Sequence, residues 1–113
     1  MKVITICGSL KYQKEMMKII TLCGSLKYQK QLMEIAENLA VDGWCVLTPV
    51  WSVSNRRIDA HTTEKFKRAH LKRIDMSDAV FIANIDDYIG DSTREELEYA
   101  KSKGKQVVFY RDL

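Results

Sequence analysis

No apolar run in this sequence approaches the roughly 20 residues that a transmembrane helix needs, so no membrane-spanning helix is expected. The opening stretch Met1-Lys2-Val3-Ile4-Thr5-Ile6-Cys7 is too short for a signal h-region and is followed by no small-residue cleavage site, so a cytoplasmic location is expected. Charge of one sign is also lacking. Eighteen basic residues face fifteen acidic ones, for a net charge of +3, and the two signs interleave. A nucleic-acid binder concentrates its positive charge on one face, so no nucleic-acid partner is expected. The locally basic stretches Asn55-Arg56-Arg57 and Lys65 to Arg73 read as solvated surface. Cysteine is scarce: Cys7, Cys23 and Cys45 are an odd number with no C-x-x-C spacing, which speaks against a disulfide framework and against a zinc site. Cys7 and Cys23 end apolar stretches and read as buried, reduced thiols. There is one proline, Pro49.

What is present is ordinary globular material. With 46% hydrophobic and 29% charged residues the chain is neither disordered nor a membrane protein, and 113 residues suffice for one domain with a modest core.

The sequence also repeats itself. Residues 1–17 read MKVITICGSLKYQKEMM and residues 17–33 read MKIITLCGSLKYQKQLM. The copies differ only at Val3/Ile19, Ile6/Leu22, Glu15/Gln31 and Met16/Leu32, all conservative pairs. Repeat architectures need about three units or more, and nothing after residue 33 resembles this one. The repeat is therefore a local tandem duplication of one strand-loop-helix start. It divides the chain into residues 1–16, the extra copy, and residues 17–113, the domain proper.

The second copy leads into a complete strand-helix-strand unit. Ile19 to Cys23 reads as a strand. Lys27 to Val41 reads as a helix with Leu32, Ile35, Ala36, Leu39 and Ala40 at helical spacing. Asp42-Gly43 ends it, with Gly43 suited to a left-handed C-terminal position, and Trp44 to Leu47 is the next strand. The first copy leaves only about nine residues of connection before Ile19, fewer than a parallel crossover needs. Copy two is thus expected to fill the central strand. Copy one is left as an edge strand, a helical extension, an arm swapped onto a partner, or a competitor for the central slot.

Residues 48–62 form a polar loop, and Thr62 or Thr63 is expected to cap a helix running to about Asp75. Ala79 to Asn84 is a buried strand. Ser92 is expected to cap the next helix, with Glu95 completing a capping box. Gly104 ends that helix before a last strand, Gln106 to Tyr110. Strands alternating with helices predict an α/β fold: a three-layer Rossmann- or flavodoxin-like parallel sheet with core order 2-1-3-4.

In such sheets ligands bind beyond the C-terminal strand ends, where the strand order reverses. Two loops meet there. In the first, Gly24 permits a tight turn, Ser25 offers a hydroxyl, and the helix-opening amides favour an anion beside Lys27 and Lys30. An ordinary capped helix start reads the same way. The second loop runs from Asp86 through Asp91 and Ser92 into Arg94-Glu95-Glu96-Leu97-Glu98-Tyr99-Ala100. Glu96 is expected in or near the first turn, where the positive helix end favours an ionised carboxylate, fit to be a nucleophile or to stabilise a cation. Glu98 reads as solvated.

Four stretches in order, CGSLK, DGWCVLTPV, IDMSDAVFIAN and GDSTREELEYAKSKGKQVVFY, within a match that runs from about residue 17 to 110, together resemble the nucleoside 2-deoxyribosyltransferase superfamily, which includes the 2′-deoxynucleoside 5′-monophosphate N-glycosidases. The resemblance implies that Glu96 attacks C1′ of a deoxyribose and expels the base, after which water or a second base accepts the sugar. That is the logic of retaining glycoside hydrolysis. It implies a phosphate near Ser25, Lys27 and Ser92, with Gly24 and Asp91 also touching the ligand, and a homodimer. No cofactor and no metal enter this scheme. Two positions depart from the family pattern. His70 stands where an aspartate is usual and becomes the candidate acid for the leaving base, or simply a surface helix residue. Asp91-Ser92-Thr93-Arg94 replaces a glycine-rich turn. Asp78 reads as structural, and Asp75 is a secondary candidate. The competing reading is a non-catalytic nucleotide-binding or sensing domain on the same fold.

Overall fold

The computed structural model describes residues 17–51 and 57–110. The alternatives for residues 1–16 lie outside the described residues.

Two apolar strands with side chains alternating between faces organise everything else. Ile20 and Leu22 of β1 (Ile19–Cys23) and Ala79 and Phe81 of β3 (Ala79–Ile82) pack on one side, against Leu32, Ile35 and Leu39 of α1 (Gln29–Val41). Cys23, Val80 and Ile82 pack on the other, against Ile74 of α2 (Ala60–Asp75) and Leu97 and Ala100 of α3 (Asp91–Ser102). β2 (Cys45–Leu47) and β4 (Gln106–Phe109) flank the central pair. All pairings are parallel and the order is β2-β1-β3-β4, the expected three-layer α/β sheet. Burial on both faces explains why β1 and β3 read as near-continuous apolar runs.

Some of the polar groups this burial traps are satisfied, whereas Asn84 Oδ1 and Trp51 Nε1 are buried without a hydrogen-bond partner among the described residues. Thr21, fully buried, shares a hydrogen bond with the Ser77 hydroxyl, which donates onward to the Arg73 carbonyl at 2.8 Å. The Asp78 carboxylate accepts the Ile19 N–H at 2.8 Å and so fixes the strand entry, the structural role expected of it.

Several element ends differ from expectation, each for a local reason. α1 is preceded by a 3-10 turn, Leu26–Tyr28, with the Ser25 hydroxyl accepting the Lys27 N–H at 3.3 Å. Trp44 is not in the strand, because its N–H closes the end of α1 on the Leu39 carbonyl. α2 is capped by Asp59, not by Thr62 or Thr63: the carboxylate takes the Thr62 N–H at 2.8 Å, and the Thr63 hydroxyl donates to the Asp59 carbonyl. α3 starts at Asp91 with Gly90 as its N-cap and no side-chain cap, so Ser92 lies inside the first turn and no capping box forms. Gly43 and Gly104 end α1 and α3 with φ of +101° and +72°, as their place after each helix foretold.

Gly24 differs from both. Its φ is not positive, so the left-handed freedom of glycine is not what the position requires. A Cβ there would stand 2.7 Å from Leu32 Cδ2 and 3.1 Å from Ala83 Cβ. The missing side chain lets the loop after β1 press against α1 and the end of β3. Gly24→Ala is therefore expected to destabilise the fold by about 1–3 kcal/mol through overpacking. In urea unfolding, the Gly24→Ala/Leu32→Val double variant should lose less than the sum of the two single losses, because Leu32 Cδ2 is the clashing atom. Strict additivity would mean that the clash is relieved elsewhere.

Candidate functional site

The loops that leave β1 and β3 at their C-terminal ends diverge, and between them lies a cavity of about 710 Å³. Gly24, Ser25 and Leu26 line one side, and Gly90, Asp91, Ser92 and Thr93 at the start of α3 line another. His70 and Arg73 of α2 and Glu96 of α3 lie along its wall. Six of the seven residues singled out in the sequence thus share one cavity. Lys27 does not line it. Its ammonium sits 4.2 Å from the centre of the Tyr88 ring and 5.3 Å from that of Tyr28, in a cation–π arrangement that ties the two loops together.

At the inner end of the wall, four side chains interlock. His70 Nε2 is 3.7 Å from the Cys23 sulfur and 3.8 Å from Glu96 Oε1. Arg73 Nη1 is 3.1 Å from His70 Nδ1. The cluster follows from the fold: Cys23 is the last residue of β1 and faces the α2–α3 layer, while His70 and Glu96 meet over it. His70 is buried rather than on the surface. Glu95, one residue before Glu96, points outward to Lys67 at 2.7 Å and bridges α2 and α3. Glu98 is exposed, as expected. Asp75 accepts the Tyr99 hydroxyl at 2.7 Å and does not line the cavity.

The electrostatics reverse one expectation. Glu96 is the sixth residue of α3, past the turn where the helix end acts strongly. Burial dominates instead and pushes its pKa from 4.5 up to about 7, although the Cys23 thiol, as a hydrogen-bond partner, pulls the other way. Burial, with the Arg73 charge second, lowers His70 from 6.5 to about 4, so the imidazole is neutral at pH 7. Burial and then Glu96 raise the Cys23 thiol well above its ordinary range, so it is a protonated donor and not a nucleophile.

Cys23, His70 and Glu96 offer a sulfur, a nitrogen and an oxygen within 4.8 Å of one another, a donor set suited to zinc. The geometry around the imidazole does not fit a metal. A cation on Nε2 would put the ring proton on Nδ1, facing the Arg73 N–H 3.1 Å away, donor against donor.

The sequence reading singled out neither Arg73 nor the contacts of Cys23. Arg73 stands three residues after His70 on the same helix face, a spacing that brings side chains together. No protein-family model matches the chain, and no curated protein matches it.

Glu96 and His70 act on stability with opposite signs. Glu96, raised by folding from 4.5 to about 7, gives a contribution that is full below pH 4.5 and lost as pH rises through 7. His70, lowered from 6.5 to about 4, gives one that is full above pH 6.5 and lost as pH falls through 4. Relative to the unaltered chain, Glu96→Gln should therefore gain stability between pH 4.5 and 6.5 as pH rises, by about 2 kcal/mol. His70→Asn should lose a similar amount over the same range. Urea unfolding at three pH values reads both, and parallel profiles in both variants would contradict the two assignments.

Proposed function

We propose that this chain cleaves or transfers at the N-glycosidic bond of a 2′-deoxynucleoside 5′-monophosphate, or of the corresponding deoxynucleoside, with Glu96 as the nucleophile. The observation that carries the reading is a carboxylate at the wall of a cavity that also receives the Gly24-Ser25 loop and the start of α3. The volume, about 710 Å³, lies in the range of small-molecule sites. Phe66 and Tyr88, 42% and 41% exposed, both line it and offer ring faces on which a base can stack. The first-turn amides of α3 open onto the cavity with no side-chain cap and suit a phosphate. Asp91 in that same turn opposes a second negative charge, which keeps the unphosphorylated nucleoside among the candidates. The resemblance extends the reading to a homodimer.

The chemistry runs in two displacements. The ionised Glu96 oxygen forms a bond to C1′ while the C1′–N bond breaks, its electron pair leaving on the base. Water then attacks C1′ and releases the carboxylate. In sum the hydroxyl of water ends on the sugar and its proton on the base. A second base in place of water gives transfer. The carboxylate at the cavity wall stands beside the cationic, oxocarbenium-like transition state, and there its negative charge has its largest effect.

The competing reading, nucleotide binding without cleavage, is favoured by the neutral His70 where the resembled family has an acid. Base release from a panel of deoxynucleoside monophosphates and deoxynucleosides separates the two. Cleavage predicts a kcat/KM that rises with pH through about 7, as Glu96 ionises, and a loss of at least about a thousandfold in Glu96→Gln. Tight binding with no base released by the unaltered chain would establish the binding reading instead.

A further inference from the structure

We infer that Arg73 is a positioning residue that fixes His70 as the Nε2–H tautomer, so that the ring presents a hydrogen-bond donor, and no lone pair, to Glu96 and Cys23. Five points carry this. A guanidinium has N–H donors and no acceptor. Arg73 Nη1 lies 3.1 Å from His70 Nδ1, so that nitrogen must accept. A neutral imidazole with an accepting Nδ1 carries its proton on Nε2. Nε2 is the nitrogen that faces the Cys23 sulfur at 3.7 Å and Glu96 Oε1 at 3.8 Å. His70 is 4% exposed, and the Leu22 carbonyl is a further acceptor beside the ring.

Two consequences follow. The Glu96 carboxylate takes its hydrogen bond from the Cys23 thiol of β1, while the Nε2–H of His70, 3.8 Å from Oε1, turns the positive end of its dipole toward the carboxylate without a hydrogen bond. The lone pair that a metal ion would need is covered, which keeps the Cys23–His70–Glu96 cluster free of zinc although its atoms lie close enough to bind it. The imidazole then serves as a fixed donor and not as the acid for a leaving base. The charged and titratable groups facing Glu96 are Cys23 from β1, Lys67, His70 and Arg73 from α2, and Glu95 from α3.

The tautomer rests on geometry alone, whereas its catalytic consequence rests on the proposed glycosidic activity. Long-range ¹⁵N NMR of the ring nitrogens tests the first at pH 7.5, with exposed His61 as the internal reference. His70 should show a protonated Nε2 and an unprotonated Nδ1. Arg73→Met should redistribute the proton between the two nitrogens, and Arg73→Lys, which keeps a donor, should retain the original pattern. One equivalent of zinc chloride should leave the Nε2 proton of the unaltered chain in place. A proton on Nδ1, an unchanged spectrum in Arg73→Met, or displacement of the Nε2 proton by zinc would overturn the inference. In the activity assay, Arg73→Met should lower kcat/KM at pH 7 by about tenfold and move the limb set by Glu96 to higher pH, with Arg73→Lys largely rescuing both. If the unaltered chain releases no base, the functional reading falls while the nitrogen spectrum still decides the tautomer.

Discussion

Burial of one carboxylate over the end of the central strand is the constraint on which the rest of the cleft depends. Glu96 sits in the layer where α2 and α3 close over β1, and desolvation there penalises its charge. A buried carboxylate is tolerated only where donors meet it. The cluster supplies one, the Cys23 thiol, with the Nε2 edge of His70 3.8 Å away, and Arg73 in turn determines whether that edge carries a proton. The outward-pointing Glu95–Lys67 pair lies at the surface and contributes little to stability by comparison. Its part is to brace the two helices whose spacing defines the cluster.

The same burial links stability to reactivity. A carboxylate that resists ionisation weakens the fold once pH exceeds its pKa, and it is also a stronger base than a solvated one. Such a group gains most from a ligand that brings positive charge to it. A sugar ring developing oxocarbenium character supplies that charge only as the glycosidic bond breaks, so stabilisation grows toward the transition state and not in the ground state. The cavity places the loop after β1 and the start of α3 around this point, consistent with the general position of ligands at the strand-order reversal of open α/β sheets.

Much of the architecture was legible because it follows from periodicity. The apolar runs at Ile19–Cys23 and Ala79–Ile82, the helical spacing of Leu32, Ile35 and Leu39, and the glycines after α1 and α3 were enough to give the layers and the strand order. Caps were less legible. Asp59 and Thr62 are both good capping residues, and only the hydrogen bond decides between them. Gly90 displaced Ser92 because the helix begins two residues earlier than the capping-box pattern implies. At the site, Glu96, His70 and the Gly24-Ser25 loop could be picked out by residue type and position, but their charge states could not. Helix position predicted an ionised Glu96, and burial, which is a tertiary property, outweighed it. The part played by Arg73 was hidden for the same reason: a lysine- and arginine-rich helix face reads as solvated until its neighbours are in place.

Covalent capture tests the central claim most directly. The chain is mixed with a deoxynucleoside monophosphate, quenched in acid during turnover, digested and analysed by mass spectrometry. The account predicts a deoxyribose phosphate adduct on the peptide bearing Glu96, with the ester mapped to that side chain. Release of base with the adduct on another residue, or with every peptide unmodified throughout turnover, would contradict it.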